Sequence, residues 1–322
     1  MGYNRAMSYE AAREAVEAAR HITVVGHVNP DADALGTGLG LWWIFKSLGK
    51  RADAVYVSRP LPQTLSFLPG FGKIKAAVHP RSDLIVAVDC GSFDRLGIER
   101  PEGAKLINLD HHRSNEGYGD IDLIEPDFSC AAEVAFALAT RAGWEVPRAA
   151  AENFYAALVS DTGFFGYEGV GERVFDFAKA LTRLGASPER TARMLRENQP
   201  LCKLRLLPMV LETLTLYLQG RVAGLDVTKE MFRRSGATVN EAEDFVNYAR
   251  SLATVEVGFL VRDEPDGSLK VSLRSKERAD VSRIALAFGG GGHRRAAGFS
   301  VRGMDRAALL EQLLPKIEEE LE

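Results

Sequence analysis

Residues able to bind cations or move protons fall in four short runs of the first half of the chain. His27-Val28-Asn29-Pro30-Asp31-Ala32-Asp33 comes first and Asp89 second. Asp110-His111-His112 and Ser160-Asp161-Thr162-Gly163 follow. Carboxylates and neutral imidazoles in one cleft suit a hard or borderline divalent cation, with manganese favoured over magnesium once imidazole contributes. His27, Asp31, Asp33, Asp89, His111 and Asp161 are more ligands than one such ion takes while keeping positions for water and substrate. A pair of ions sharing one carboxylate uses them all. Two ions about 3.5–4 Å apart activate a water and stabilise the leaving oxygen of a phosphoryl transfer. Each run alone also has a plainer reading. Asp-x-Asp after a strand caps helices, Asp89 would cap a strand, and Asp161 before Thr-Gly would form an Asx-turn. Four such runs in one half of the chain, each at an element end, favour a common site.

A second constellation lies near the other end, at Phe288-Gly289-Gly290-Gly291-Gly292-His293-Arg294-Arg295. Four glycines make a poor strand or helix interior, because glycine loses the most conformational entropy on ordering. Their natural use is a loop whose N–H groups approach an anion. Lys270 to Arg302 holds eight basic residues against two acidic, and arginine supplies charge-assisted donors to phosphate. Arg274-Ser275 would join the same surface. The plainer reading is a flexible loop beside ordinary surface arginines.

The elements that must position these groups alternate in the first half. Strands are expected at His21–Gly26, Ala52–Val57, Asp83–Val88 and Ala104–Leu109, with a helix over Ala34–Leu48 closed by Gly49. Strands apolar on both faces and separated by helices predict a parallel sheet covered on both sides. Ligands of such sheets bind at the carboxyl ends of the strands, where three of the four runs fall. Helices are expected from Ser129 to about Tyr217. The pattern then changes, with strands over Arg221–Val227 and Val255–Val261. The turn Glu264-Pro265-Asp266-Gly267 returns Leu269–Leu273 antiparallel to its partner. This divides the chain into an α/β unit over 1–190, a helical linker over 191–220, and a smaller α/β unit with a mixed sheet over 221–322.

Bulk properties exclude several classes. A length of 322 residues suggests two domains. A net charge of -4 gives no whole-chain attraction to nucleic acid, so anion binding must be local. Cys90, Cys130 and Cys202 lack paired spacing, which argues against a disulfide framework or a thiolate zinc site. The polar start carries no signal-peptide core, and no apolar run approaches the roughly 20 residues of a membrane span. A cytoplasmic protein without membrane attachment is the expectation.

These motifs resemble, in order, those of the DHH phosphoesterases. His27 to Gly36 is similar to the first motif, Val88-Asp89 to the second, Asp110-His111-His112 to the third and Ser160 to Gly163 to the fourth. Gly290 to Phe299 is similar to the glycine-rich segment of the DHH-associated C-terminal domain. The resemblance implies a bilobal α/β fold and two Mn²⁺ ions, with Mg²⁺ or Co²⁺ as substitutes. His27, Asp31, Asp89 and Asp161 would serve one ion, and Asp33, Asp89, His111 and Asp161 the other. It implies that His112 points at the scissile phosphate while Asp110 orients the histidines. Arg274, Ser275, Gly291, Gly292 and His293 would bind substrate. The two-lobed length is similar to the nanoRNase and pAp-phosphatase branch, which implies short RNA oligonucleotides and nucleotides as substrates and leaves a homodimer open. Cleavage of cyclic or linear dinucleotides (c-di-AMP, pApA, pGpG) is the rival activity, and a non-catalytic nucleotide- or RNA-binding module the rival from another class. Ala32 and Thr37 depart from the glycine and serine frequent in the family, and Glu168–Glu172 from its threonine-rich stretch.

Overall fold

A computed structural model describes residues 2–322, with side chains from Met7 onward. Contacts divide the chain into two compact units, one ending at Asn198 and the other running from Gln199 to Glu322.

The first unit contains a five-stranded sheet. Its strands are β1 (His21–Gly26), β2 (Arg51–Val55), β3 (Leu84–Val88), β4 (Lys105–Asp110) and β5 (Ile121–Ile124), in the order β2-β1-β3-β4-β5. Every pairing is parallel. The helices are α1 (Gly2–Ala18), α2 (Ala32–Ser47), α3 (Ala131–Arg141), α4 (Arg148–Asp161), α5 (Glu172–Arg183) and α6 (Pro188–Glu197). Side chains alternate between two cores. Ile22, Val24, Leu84, Val86 and Val88 pack with residues of α1 to α5 on one face. Val25, Ile85 and Ala87 pack on the other, against Cys90, Leu96 and the half-buried Val78 and Phe93. Full burial of each such side chain contributes about 1.5–3 kcal/mol.

The expected alternation of strands and helices holds only between β1 and β2. The later crossovers are loops carrying short 3₁₀ turns at Gln63–Leu65, Phe71–Lys73 and Phe93–Leu96. Pro60, Pro62, Pro69, Gly70 and Gly72 punctuate the first of these, and such residues cannot sustain a helix. The second face of the sheet is therefore covered by irregular segments. Strand β5 was not anticipated.

The second unit has a six-stranded mixed sheet in the order β10-β11-β9-β8-β7-β6. Its strands are β6 (Thr215–Tyr217), β7 (Val222–Val227), β8 (Val257–Asp263), β9 (Leu269–Ser275), β10 (Gly291–His293) and β11 (Ala296–Val301). Only β7 and β8 pair in parallel. The helices are α7 (Leu201–Leu211), α8 (Lys229–Ser235), α9 (Val246–Ser251), α10 (Val281–Ala287) and α11 (Arg306–Leu321). Val257, Phe259 and Val261 face a core with Leu309 and Leu313 of α11. Leu225 and Leu260 face one with Leu206 and Val210 of α7 and Val246 of α9. Thr215–Tyr217, expected at the end of a helical stretch, instead forms an edge strand on β7.

The glycine run also departs from a pure loop, because Gly291–His293 pairs with Ala296–Gly298. A Cβ on Gly290 would lie 2.3 Å from the Gly298 carbonyl oxygen, and one on Gly292 would lie 2.5 Å from that of Ala296. Close approach to β11 is thus what requires glycine there.

Candidate metal centre and active site

Strand register places the motif runs on one edge. Gly26 pairs with Val88, and Val88 with Leu109. The chain therefore leaves the sheet at His27, Asp89 and Asp110 in neighbouring positions at the carboxyl ends. Helix α2 starts within the first run, with Asp31 as its N-cap. A Cβ on Gly36 would lie 2.6 Å from the Asn153 carbonyl oxygen, and one on Gly40 would lie 2.2 Å from the Phe154 ring. These glycines let α4 approach α2 closely, and α4 ends at Asp161.

The histidines divide by what holds their Nδ1. Nδ1 of His27 lies 2.8 Å from the Val28 carbonyl oxygen, and Nδ1 of His111 lies 3.3 Å from that of Phe128. A carbonyl only accepts, so Nδ1 carries the proton and Nε2 offers its lone pair. Nε2 of His27 faces Asp31 at 3.9 Å and Asp89 at 3.6 Å. Nε2 of His111 faces Asp33 at 3.8 Å, Asp89 at 3.7 Å and Asp161 at 3.5 Å. His112 instead has its Nδ1 held by a carboxylate, 2.7 Å from Oδ1 of Asp110.

Asp89 joins the two groups. Its Oδ2 faces His27, while its Oδ1 lies 3.7 Å from Nε2 of His111 and 3.6 Å from Nδ1 of His112. That Oδ1 is buried and has no hydrogen-bond partner among the described residues. The separations exceed hydrogen-bond length, and an orphaned carboxylate oxygen among imidazoles fits a bound cation. Three overlapping sets have ligand-type atoms within 4.8 Å of one another: His27-Asp31-Asp89, Asp33-His111-Asp161 and Asp89-Asp110-His111-His112. The donor set of oxygens and imidazole nitrogens suits a divalent metal.

Electrostatics point the same way. Burial raises the pKa of Asp33 to about 7, with Asp89 adding to the effect. Burial also raises Asp161, helped by Asp33 and Asp89. At Asp89 burial opposes ionisation, but His27, His112 and His111 outweigh it and hold the carboxyl at about 2. Crowded carboxylates that retain protons in this way are relieved by a cation.

The supporting contacts separate the remaining roles. Asp31 is the N-cap of α2 and accepts from the N–H groups of Asp33 and Ala34. Its side chain is still 62% exposed, so capping and metal binding are compatible. Asp33 is enclosed. Its Oδ2 accepts from the Ala131 N–H at 2.7 Å, at the start of α3, and its Oδ1 from the Thr37 hydroxyl at 2.8 Å. Thr37, where the family often has serine, thus keeps the hydroxyl. Asp110 is fully buried and its oxygens accept from His111 N, His112 N, His112 Nδ1 and Asn115 Nδ2. Those bonds tie it to the backbone and ring of the adjacent histidines. Sequence reasoning had not singled out Asn115, although a polar residue three places beyond His112 was a legible signal.

The second unit gathers most of its expected residues. Ala296 pairs with Arg274 on one side and His293 on the other. Directly opposed residues share a face, so Arg274 and His293 project together. Nη1 of Arg274 donates to the Leu273 carbonyl oxygen at 3.0 Å. Gly291 has open space where a Cβ would lie. Ser275 differs, because it alternates onto the face of Leu273 and is 0% exposed. Its hydroxyl is therefore enclosed and separated from the face that Arg274 presents.

Comparison with known proteins agrees with this arrangement. Residues 21–159 match the DHH family, N-terminal domain, and residues 220–322 match the DHHA1 domain. A Thermus thermophilus relative, named bifunctional oligoribonuclease and PAP phosphatase NrnA, is 32% identical over 303 residues, covering 93% of this chain and 90% of its own. A Bacillus subtilis relative of the same name is 28% identical over 285 residues, covering 87% and 89%. The crystal structure of an exopolyphosphatase-related protein from Bacteroides fragilis superposes with a TM-score of 0.88 at 25% identity, covering 98% of each chain. With both domains matched in order and the motif residues assembled at one sheet edge, the chain belongs to the DHH phosphoesterases, a DHH domain followed by a DHHA1 domain.

Proposed function

We propose that this phosphoester hydrolase is manganese-dependent, degrades oligoribonucleotides of a few residues to mononucleotides, and removes the 3′-phosphate from pAp. The observation that carries the metal part is Asp89, whose two oxygens face the outward Nε2 atoms of two different histidines. His27, Asp31 and Asp89 would hold one ion, and Asp33, Asp89, His111 and Asp161 the other. Such a pair supplies Lewis acidity and a water of lowered pKa. The substrate part rests on the two relatives named NrnA, each matched over nearly its whole length.

The chain's own residues do the rest. Asp110 fixes the ring of His112, so that its outer nitrogen meets a phosphate oxygen or the leaving oxygen and moves a proton there. Asp33 is held by Thr37 and the α3 N-terminus, which stops the carboxylate from rotating away. Arg274 and His293 anchor a terminal phosphate through charge-assisted hydrogen bonds. Ser275, being enclosed, is left out of that anchor. No helix among the described residues is long and apolar enough to cross a membrane, and a cytoplasmic setting suits the free thiols of Cys90, Cys130 and Cys202.

The test is an activity panel with Mn²⁺: RNA of two to five nucleotides, long RNA, pAp, c-di-AMP, pApA and pyrophosphate. Highest kcat/KM on short RNA, with release of phosphate from pAp, is expected. Preference for c-di-AMP or pyrophosphate over short RNA would replace the proposal with that activity.

A further inference from the structure

Asn115 uses the full hydrogen-bonding capacity of its amide. The two N–H groups of Nδ2 are shared among three acceptors, Oδ2 of Asp110 at 2.5 Å, the Cys90 carbonyl oxygen at 3.1 Å and Oδ1 of Asn108 at 3.2 Å. Oδ1 accepts from Nδ2 of Asn108 at 2.8 Å and from the Gly117 N–H at 2.9 Å. Asn108 is fully buried and also donates to Asp122 at 2.8 Å. Asn115 thus rests on a fixed polar base in β4 and β5.

The Cys90 carbonyl belongs to the residue directly after Asp89. Asp89 has a φ of 52°, a left-handed conformation that is unfavourable for a residue with a Cβ. Such a conformation persists only where its surroundings enforce it. Here the Asp89 N–H donates to the Leu109 carbonyl oxygen at 3.0 Å, and the Cys90 carbonyl accepts a second bond from Oη of Tyr118 at 2.9 Å. The turn is therefore clamped on both sides of the Asp89 side chain. Asn115 bonds both this clamp and the carboxylate that holds His112.

We propose that Asn115 is a positioning residue that sets the spacing between Asp89 and His112, with Tyr118 as its auxiliary on the Cys90 carbonyl. The inference rests on the reading of Asp89 as a metal ligand and His112 as the group that works beside it. A merely structural Asn115 would hold the 113–118 turn and leave metal affinity alone, because its bond to the Gly117 N–H suffices for that.

The experiment measures Mn²⁺ affinity by calorimetry, kcat and KM on short RNA, and thermal stability, in Asn115→Ala, Asn115→Ser and Tyr118→Phe. Mn²⁺ affinity needs no substrate, so it tests this inference even where short RNA proves the wrong substrate. Loss of a group that orients metal ligands typically costs about 10–100-fold. That loss is expected in Mn²⁺ affinity and in kcat for both Asn115 variants, with KM within about twofold. The midpoint of unfolding should fall by about 2–10 °C, since the buried Asp110 and Asn108 each lose a partner while keeping others. Tyr118→Phe alone should cost less than about threefold, because Asn115 still holds the carbonyl. The Asn115→Ser, Tyr118→Phe double variant should lose more than the product of the two. Wild-type Mn²⁺ affinity in Asn115→Ser would overturn the proposal. So would a fall in kcat that follows a large drop in midpoint while affinity is unchanged. A double variant no worse than the product would remove Tyr118 from it.

Discussion

Oδ1 of Asp110 lies 2.7 Å from Nδ1 of His112, and the same oxygen accepts from the backbone N–H groups of His111 and His112. A backbone-anchored carboxylate thereby claims the inner nitrogen of His112, whereas His27 and His111 give their inner nitrogens to carbonyls and turn Nε2 toward carboxylates. His111 and His112, adjacent in the sequence, thus differ in what holds their inner nitrogens.

On the proposed roles, proton transfer and metal binding should come apart in the two variants. His112→Ala should lower kcat by about 10²–10⁴-fold, the range for losing a general acid or base, and keep its metal. His111→Ala should lose metal as well as activity. Elemental analysis after dialysis compares the two, and equal metal loss would show that the roles are assigned wrongly.

Asp89 contacts both candidate metal positions, so Asp89→Ala takes a ligand from each and leaves Asp31, Asp33 and Asp161 repelling one another. Activity on every substrate should fall by several orders of magnitude with the fold intact by circular dichroism. Retention of more than about a tenth of wild-type activity at saturating Mn²⁺ would exclude a shared ligand, since losing one preorganised electrostatic partner already costs about 10²–10³-fold.

The raised pKa of Asp33 gives Mn²⁺ binding a pH signature. In the metal-free protein its carboxyl, held at about 7, is largely protonated at pH 6 and largely ionised at pH 8. His27 and His111 are raised as well, their carboxylate neighbours prevailing over burial, and each must also be neutral to bind. Calorimetry in buffers of different ionisation enthalpy should therefore show at least about one more proton released per protein at pH 6 than at pH 8. The same sign governs stability without metal. A carboxyl whose folded pKa lies above its unfolded value destabilises the fold as pH rises from about 4 to 7. Proton release independent of pH would remove Asp33 from the ligand set.

Packing between α2 and α4 carries the fourth prediction. The carbonyl oxygen of Asn153 that a Cβ on Gly36 would meet at 2.6 Å is backbone and cannot rotate aside. Gly36→Ala should cost about 1–3 kcal/mol through overpacking, or about 2–10 °C in the unfolding midpoint. It should also weaken Mn²⁺ binding, because α4 ends in Asp161. Full metal affinity in a destabilised Gly36→Ala variant would show that α4 can shift without moving that ligand.

The last prediction concerns substrate length. If Arg274 binds a terminal phosphate of the substrate, rates should peak at about two to five nucleotides, because a net charge of -4 offers no basic track for a longer strand. A time course on labelled RNAs of graded length tests this with wild type and Arg274→Ala. The variant should raise KM if the contact is equal in ground and transition states, and lower kcat if it positions the phosphate. Equal turnover of a dimer and a long strand by wild type would defeat the length limit, and unchanged kcat/KM in the variant would dismiss Arg274.

Much of the site was already readable in the sequence, for a simple reason. Metal chemistry limits residue types to carboxylates and imidazoles, and a parallel sheet limits where loops can meet, so His27, Asp89 and Asp110 after three apolar runs had one edge to share. The tertiary structure decided what lone residues could not. The left-handed turn of Asp89, the Phe128 carbonyl that leaves Nε2 of His111 facing carboxylates, and the α3 N–H groups that hold Asp33 all depend on contacts between segments distant in the chain, and a hydrogen bond across 98 positions leaves no periodic trace. Crossovers expected as helices became loops, because proline and glycine outweighed the prior for βαβ units. Ser275 and Arg274 are neighbours in sequence with the same polar promise, and only the strand's alternation put one in the core and the other on the open face.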